Sequence, residues 1–301
     1  MRFTAVALGV LIAGCGRRGF ESTPPSVDAM GSAAPCVDRW IAGQVTVTAR
    51  LLPNVNTIAR DVEPFIAADH TTLYFASSRD DDANDDIYRA TTTAAFADVT
   101  LVPDLSSPEH EGAVTISENG LVATVSTART GLGIPGRNLW EATRSSTTDP
   151  FSGFTGAPYV NVNTTATEYE HWTSRDRLRL YVSANDVGVQ HITVSSRTTT
   201  ASPFSVPMMI PELGSPNSEC CMSLSGDERV IVFASSRDGN FRLYYATRMA
   251  MADPFSAPLV VPMTNPPVSV FDLHTSLSDD ACTLYFSSVR SGNFDLWAGD
   301  F

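Results

Sequence analysis

Leu73–Asp80 reads LYFASSRD and Ile231–Asp238 reads IVFASSRD, one eight-residue phrase spelled twice, 158 positions apart. Taking the first residue of LYF as a reference, further equivalents fall at Leu121-Val122-Ala123, Leu180-Tyr181-Val182 and Leu284-Tyr285-Phe286. The spacings are 48, 59, 51 and 53 residues. Repeats of roughly 40 to 50 residues that carry several short strands are those of β-propeller blades.

Each unit has four parts. A short strand such as Ala113–Ile116 or Met222–Leu224 comes first. A polar turn follows, written ADHT, SENG, SRDR, SGDE or SDDA. Asp, Asn, Gly and Ser suit such turns because they tolerate left-handed backbone or bond to it locally. The apolar LYFASSR strand is next, then a third strand such as Asp86–Ala90, Asn138–Ala142, Arg242–Ala246 or Asp295–Ala298. A fourth strand is expected to run out through Leu101-Val102-Pro103, Tyr159-Val160, Met209-Ile210-Pro211 and Val260-Val261-Pro262. Strands one to three occur five times, but only four fourth strands lie between them. The missing one is expected at Val45–Pro53, where an N-terminal strand would complete the last unit and leave no open edge. The expectation is an all-β, five-bladed propeller of four-stranded blades, closed by an N-terminal outer strand.

The pattern of a small turn, LYFASSRD-G-N and then D-I-Y-x-A resembles the TolB-like β-propeller repeat over residues 58 to 301. The likeness is weakest in the third unit, where Ser183-Ala184-Asn185-Asp186 replaces SSRD. TolB resembles a six-bladed ring with an added N-terminal domain, neither visible here, so the resemblance implies the fold and not TolB's role.

The N-terminus reads as an address. Arg2 precedes an apolar run, Phe3–Ala13, too short to span a bilayer. The run ends in Leu11-Ile12-Ala13-Gly14-Cys15, which resembles a bacterial lipobox. By that resemblance residues 1–14 are a signal peptide, Cys15 is lipidated, residues 15–38 are a flexible tether and residues 39–301 are the propeller. Gly16 rather than aspartate after the cysteine favours an outer-membrane address within the cell envelope, on its periplasmic or surface face. The membrane is then met through the lipid anchor alone. The net charge of −13 argues against a nucleic-acid partner. Cys36, Cys220, Cys221 and Cys282 remain and allow two disulfides. Because a bond between neighbours is strained, Cys220 and Cys221 are each expected to bond elsewhere.

Twelve residues before each reference position stand Asp61, Glu109, Glu168, Glu219 and Asp272, all acidic. Two positions on come Glu63, Glu111, Glu170, Cys221 and His274, with His110 and His171 alongside. Antiparallel pairing puts the start of the first strand beside the end of the second. The carboxylates should therefore share a rim with Arg79, Arg129, Arg237 and Arg290. Two uses of that rim follow. It can hold neighbouring blades together, or bind a cation, sugar or basic peptide at the channel mouth; the partner would be an envelope protein, peptide or polysaccharide. Alternatively Glu63, Glu111 and Glu170 serve a glycoside hydrolase, since enzymes of that kind occur among five-bladed propellers and need two carboxyls in unlike environments. No cofactor or metal is expected. Asp80–Asp86 opens like a calcium loop but lacks its glycine and its final glutamate, and reads as a hairpin tip.

Overall fold

The computed structural model describes residues 35–80, 84–130, 133–165, 167–168, 170–186, 188–264 and 271–301, without the side chains of 184–186. The signal peptide, Cys15 and most of the expected tether therefore lie outside the described residues. So do Asp81–Ala83 of the calcium-like stretch.

Among the described residues are five four-stranded antiparallel sheets, the blades of a five-bladed propeller. The inner strands are Asp61–Ile66, Glu111–Ile116, His171–Thr173, Glu219–Leu224 and Asp272–Leu277. Each packs on the inner strand of the next blade, and the fifth packs on the first. Side-chain hydroxyls lace them together. Ser276 Oγ accepts from Ile66 N–H at 2.9 Å, Ser223 Oγ accepts from Leu277 N–H at 2.9 Å, and Thr275 Oγ1 donates to Cys221 C=O at 2.8 Å.

The apolar core lies between blades because strand side chains alternate. On the second strand of the first blade, Leu73 and Phe75 pack toward the fifth blade with Tyr285 and Leu296. Tyr74 and Ala76 pack the other way, with Val114 and Val125 of the second blade. This two-sided burial is why LYF is apolar at every position.

The turn between first and second strands has one solution in all blades. His70, Gly120, Arg177, Glu228 and Ala281 each take a left-handed backbone, with φ of 55°, 73°, 59°, 59° and 59°. The residue before each, such as Asp69 or Asp280, accepts backbone N–H bonds two residues on. That local bond makes a left-handed non-glycine residue tolerable.

Thr48–Leu51 closes the ring. It pairs antiparallel with Asp295–Asp300, from Thr48 opposite Asp300 to Leu51 opposite Trp297. Val47 adds a bridge to the fourth blade, donating to Pro262 C=O and accepting from Thr264 N–H.

Three details differ from the sequence reading. The tether ends sooner, because Cys36–Ile41 is a helix with Trp40 buried and its indole N–H donating to Ala281 C=O at 3.0 Å. The outer strand of the second blade is Ser152–Thr155, and Tyr159 instead ends a short 3-10 turn whose hydroxyl bonds Thr124 inside the ring. The disulfides are Cys36–Cys282 and the vicinal Cys220–Cys221. The neighbours meet where the inner strand bulges and Cys221 turns left-handed, at φ 61°. No helix among the described residues is long and apolar enough to cross a membrane.

Candidate functional site at the channel mouth

Four rim carboxylates face arginines of their own blades. Arg79 reaches Asp61 at 2.7 Å, Arg129 reaches Glu111 at 3.9 Å, Arg237 reaches Glu219 at 3.5 Å and Arg290 reaches Asp272 at 2.6 Å. Each guanidinium also lies over aromatic rings, as Arg79 lies over Phe75 and Tyr88. Three of the four also donate to a carbonyl of the loop arriving from the preceding blade: Val55, Ser106 and Leu213. The carboxylate holds that loop too, by accepting the N–H four residues upstream: Thr57 to Asp61, Ser107 to Glu111, Thr164 to Glu168, Ser215 to Glu219. Carboxylate, arginine and ring together fasten three of the inter-blade crossings.

Two expectations change here. Glu111, not Glu109, holds the second blade's equivalent place. The true counterpart of Leu73 is Ala123, since Val122–Thr127 aligns with Thr72–Ser77. Arg79 and Arg129 carry that offset of 50 in the sequence. Glu109 instead accepts from Ser107 and Thr130 hydroxyls at the surface. Glu111 is fully buried against Ser107, Thr127 and Arg129, so it is not available as a third mouth carboxylate. In the third blade Asp186 stands at the arginine's register position, and Glu168 is held by the Thr164 hydroxyl and N–H. Burial pushes the carboxyls of Glu111 and Glu168 above their usual range.

The residues two positions further on do turn toward the axis. A bulge interrupts the inner strands at Val62/Phe65, Glu111/Val114, Cys220/Ser223 and Leu273/Ser276. Glu63, Cys221 and His274 sit in three of these with left-handed φ of 53°, 61° and 47°. A bulge re-aims a side chain that regular alternation would send into the blade. Glu63, Glu170, Cys221 and His274 thereby meet in one cavity of about 380 Å³, together with Arg60, His110, Arg137, Gln190 and Phe241. Beyond it the channel narrows to a space of about 20 Å³ around His171 and Thr275, and the far end offers about 40 Å³ beside the Arg175–Asp279 pair. A larger outer groove of about 440 Å³ beside Arg89 and Phe151 contains none of the rim carboxylates.

Charges in the mouth are matched in pairs. Arg60 bonds Asp85, which is almost fully buried. Arg137 lies 3.5 Å from Glu63 and its guanidinium meets His110 Nε2 at 3.0 Å. His274 Nε2 lies 3.4 Å from Glu170, and its Nδ1 meets Ser287 Oγ at 2.6 Å. Glu63 and Glu170 face one another and titrate apart. Burial pushes Glu63 upward, but Arg137, His274 and a hydrogen bond with Glu170 outweigh it and hold its carboxylate below the usual range. Burial, then the charge on Glu63, push Glu170 well above it. Oε2 of Glu63 is buried and has no hydrogen-bond partner. Burial also brings His110 and His274 down to about 4, so both are neutral at pH 7.

Arg137 and Gln190 occupy a position that the fold marks although residue type does not. Asp85, Arg137, Gln190, Phe241 and Phe294 occupy one position, two before the residue that pairs with the middle of the second strand. In four blades its carbonyl accepts from the rim carboxylate's own N–H in the next blade. The rim position is acidic in every blade, whereas this one differs in every blade except for two phenylalanines. Fixed residues build the ring, and varied ones give the mouth its chemistry.

No protein-family model matches the chain, and no curated protein matches it. Among solved structures, TolB from Acinetobacter baumannii is similar at 11% identity and TM-score 0.50, over 81% of this chain and 55% of that one. This chain thus spans little more than half of that TolB. The catalytic domain of the Coprinopsis cinerea GH62 α-L-arabinofuranosidase is similar at 14% identity and TM-score 0.56, covering 85% and 96%. The Podospora anserina enzyme PaAbf62A, in complex with cellotriose, gives 14%, 0.55 and the same coverage. At these identities the likeness is one of fold.

Proposed function

We propose that the protein is an exported, lipid-tethered propeller that binds, without cleaving it, a neutral polar chain at its channel mouth, such as saccharide units of an envelope polymer. The observation that carries this is the pairing of charge. Four rim carboxylates are taken up by arginines, and within the mouth Arg60 faces Asp85, Arg137 faces Glu63 and His274 faces Glu170. What remains is a pocket with little net charge and many donors and acceptors, walled by Phe241 and Leu273. Pockets of this size with a few convergent polar groups are those of small ligands. A basic peptide would need free carboxylates, which the arginine pairs remove. The Cys15 anchor would hold the propeller at a membrane, within reach of envelope polysaccharide.

A hydrolase reading draws support from the opposed titration of Glu63 and Glu170, the arrangement expected of an acid and a base. Separation counts against it. Glycosidase carboxyls stand roughly 5 to 9.5 Å apart to admit the sugar carbon or a water, whereas these two are near enough for the charge on Glu63 to push Glu170 upward. The test is calorimetry of the full chain with a panel of neutral oligosaccharides that includes xylotriose and cellotriose, the first named with a GH62 hydrolase and the second with PaAbf62A. Saturable binding without new reducing ends is expected. Turnover of any member that is lost in Glu170→Gln would establish the hydrolase instead.

A further inference from the structure

Cys221 does two things at once. It is bonded to Cys220, and its Sγ lies with a Glu170 carboxylate oxygen and a His274 ring nitrogen in a group whose atoms are all within 4.8 Å of one another. We propose that reduction of the Cys220–Cys221 disulfide opens a Zn²⁺ site made of Cys221, Glu170 and His274, so that the channel mouth carries a metal only in a reducing state.

The donor set supports this. Thiolate, imidazole and carboxylate are the usual protein ligands of Zn²⁺, and three of them with one open position is a common arrangement. Ligand atoms stand roughly 3.5 Å apart around a tetrahedral zinc. The group therefore has to contract by an ångström or so, which a sulfur released from its neighbour can supply. The imidazole is already oriented, because His274 Nδ1 meets Ser287 Oγ at 2.6 Å and leaves Nε2 toward Glu170. An outer contact of that kind is what fixes a ligating histidine. A second sign is Oε2 of Glu63, a buried atom without a hydrogen-bond partner, in a residue only 7% exposed that lines the same cavity. It is placed to accept from a water on the metal's open position. Both cysteines line the mouth and are nearly buried, at 3% and 5% exposure, so the reductant has to be a small dithiol.

The chemistry balances with a dithiol as reductant. One of its thiolates attacks a sulfur of the vicinal bond, giving a mixed disulfide and freeing the other cysteine. Its second thiol then displaces the protein sulfur and closes the reductant's own disulfide. Two electrons and two protons pass to Cys220 and Cys221. When Zn²⁺ binds, Cys221 gives its proton to solvent and coordinates as thiolate, Glu170 coordinates as carboxylate with any proton it holds passing to solvent, and Cys220 stays a thiol.

Co²⁺ titration of the full chain tests this, because a cobalt–thiolate bond has its own near-ultraviolet charge-transfer absorption. In unreduced protein no such band should appear. After dithiol reduction one equivalent should give the band, with Zn²⁺ displacing it. Cys220→Ser leaves Cys221 permanently free with Cys36–Cys282 intact, and should bind one equivalent without any reductant. Cys221→Ser should lose the band entirely, and His274→Ala should weaken binding at least tenfold. Ser287→Ala should weaken it about tenfold. A band in unreduced wild type, free thiols at both Cys220 and Cys221 in unreduced protein, or equal bands in Cys220→Ser and Cys221→Ser would each overturn the proposal. None of these outcomes bears on saccharide binding by the unreduced protein, so the two readings fail separately.

Discussion

At the scale of single residues, the molecule separates side chains that hold it together from side chains that face its mouth. Asp61 is fully buried, and Arg79 reaches it at 2.7 Å while bonding Val55 C=O and covering Phe75 and Tyr88. Arg79→Ala leaves that carboxylate without its charge partner, a loss of about 3 kcal/mol. Urea unfolding should show the full loss, and a change under 0.5 kcal/mol would mean the pair is ornamental. His171 behaves differently. Burial brings its pKa down to about 4, with Thr115 Oγ1 at 3.2 Å from Nε2. Because the folded state binds the proton less readily than the unfolded chain, this histidine favours folding above pH 6.5, and that stability is lost as pH falls toward 4. The shift corresponds to about 3 kcal/mol. His171→Gln should therefore flatten the decline in melting temperature between pH 6.5 and 4, with wild type and variant compared in one buffer series. Sequence reading found Asp61, Glu63, Glu170 and His274 because the repeat put them in register. It displaced Glu109 and Glu111 by two because Leu121 imitates Leu73, whereas an arginine alignment would have kept the register. It missed Arg137 and Gln190 because a position that varies from blade to blade has no repeat signal.

At the scale of strands, closure rests on four residues. Thr48–Leu51 covers the backbone edge of Asp295–Asp300, and the Cys36–Cys282 bond ties the helix ahead of it to the same blade. A chain beginning at Asn54 lacks both and exposes that edge as a template for pairing. It should lose the single cooperative unfolding transition and associate in size-exclusion chromatography. A monomer that melts like the full chain would show that the ring does not need its closing strand. Breaking only the disulfide, with Cys36→Ser and Cys282→Ser, should lower stability by roughly 3–5 kcal/mol, since it spans 246 residues. The closing strand was legible from a count of parts. The second blade's outer strand was not, because Tyr159-Val160 is as apolar as a strand yet spends Tyr159 as a plug between the second and third blades. The vicinal disulfide was illegible because the left-handed bulge at Cys221 has no sequence mark.

At the scale of the whole molecule, a net charge of −13 does not make the channel mouth acidic. Much of the repeated acid is matched by arginine at blade crossings, and the mouth is left close to neutral. Binding there should depend weakly on salt, unlike capture by a field of free carboxylates. The direct measurement is calorimetric titration of the full chain with the neutral oligosaccharide panel at low and at high salt, beside Gln190→Ala, whose side chain lines the mouth without joining a rim pair. Saturable, nearly salt-independent binding is expected in wild type, at least tenfold weaker in Gln190→Ala, with an unchanged melting temperature. Equal affinity in the two proteins, or binding that vanishes with salt, would contradict that expectation.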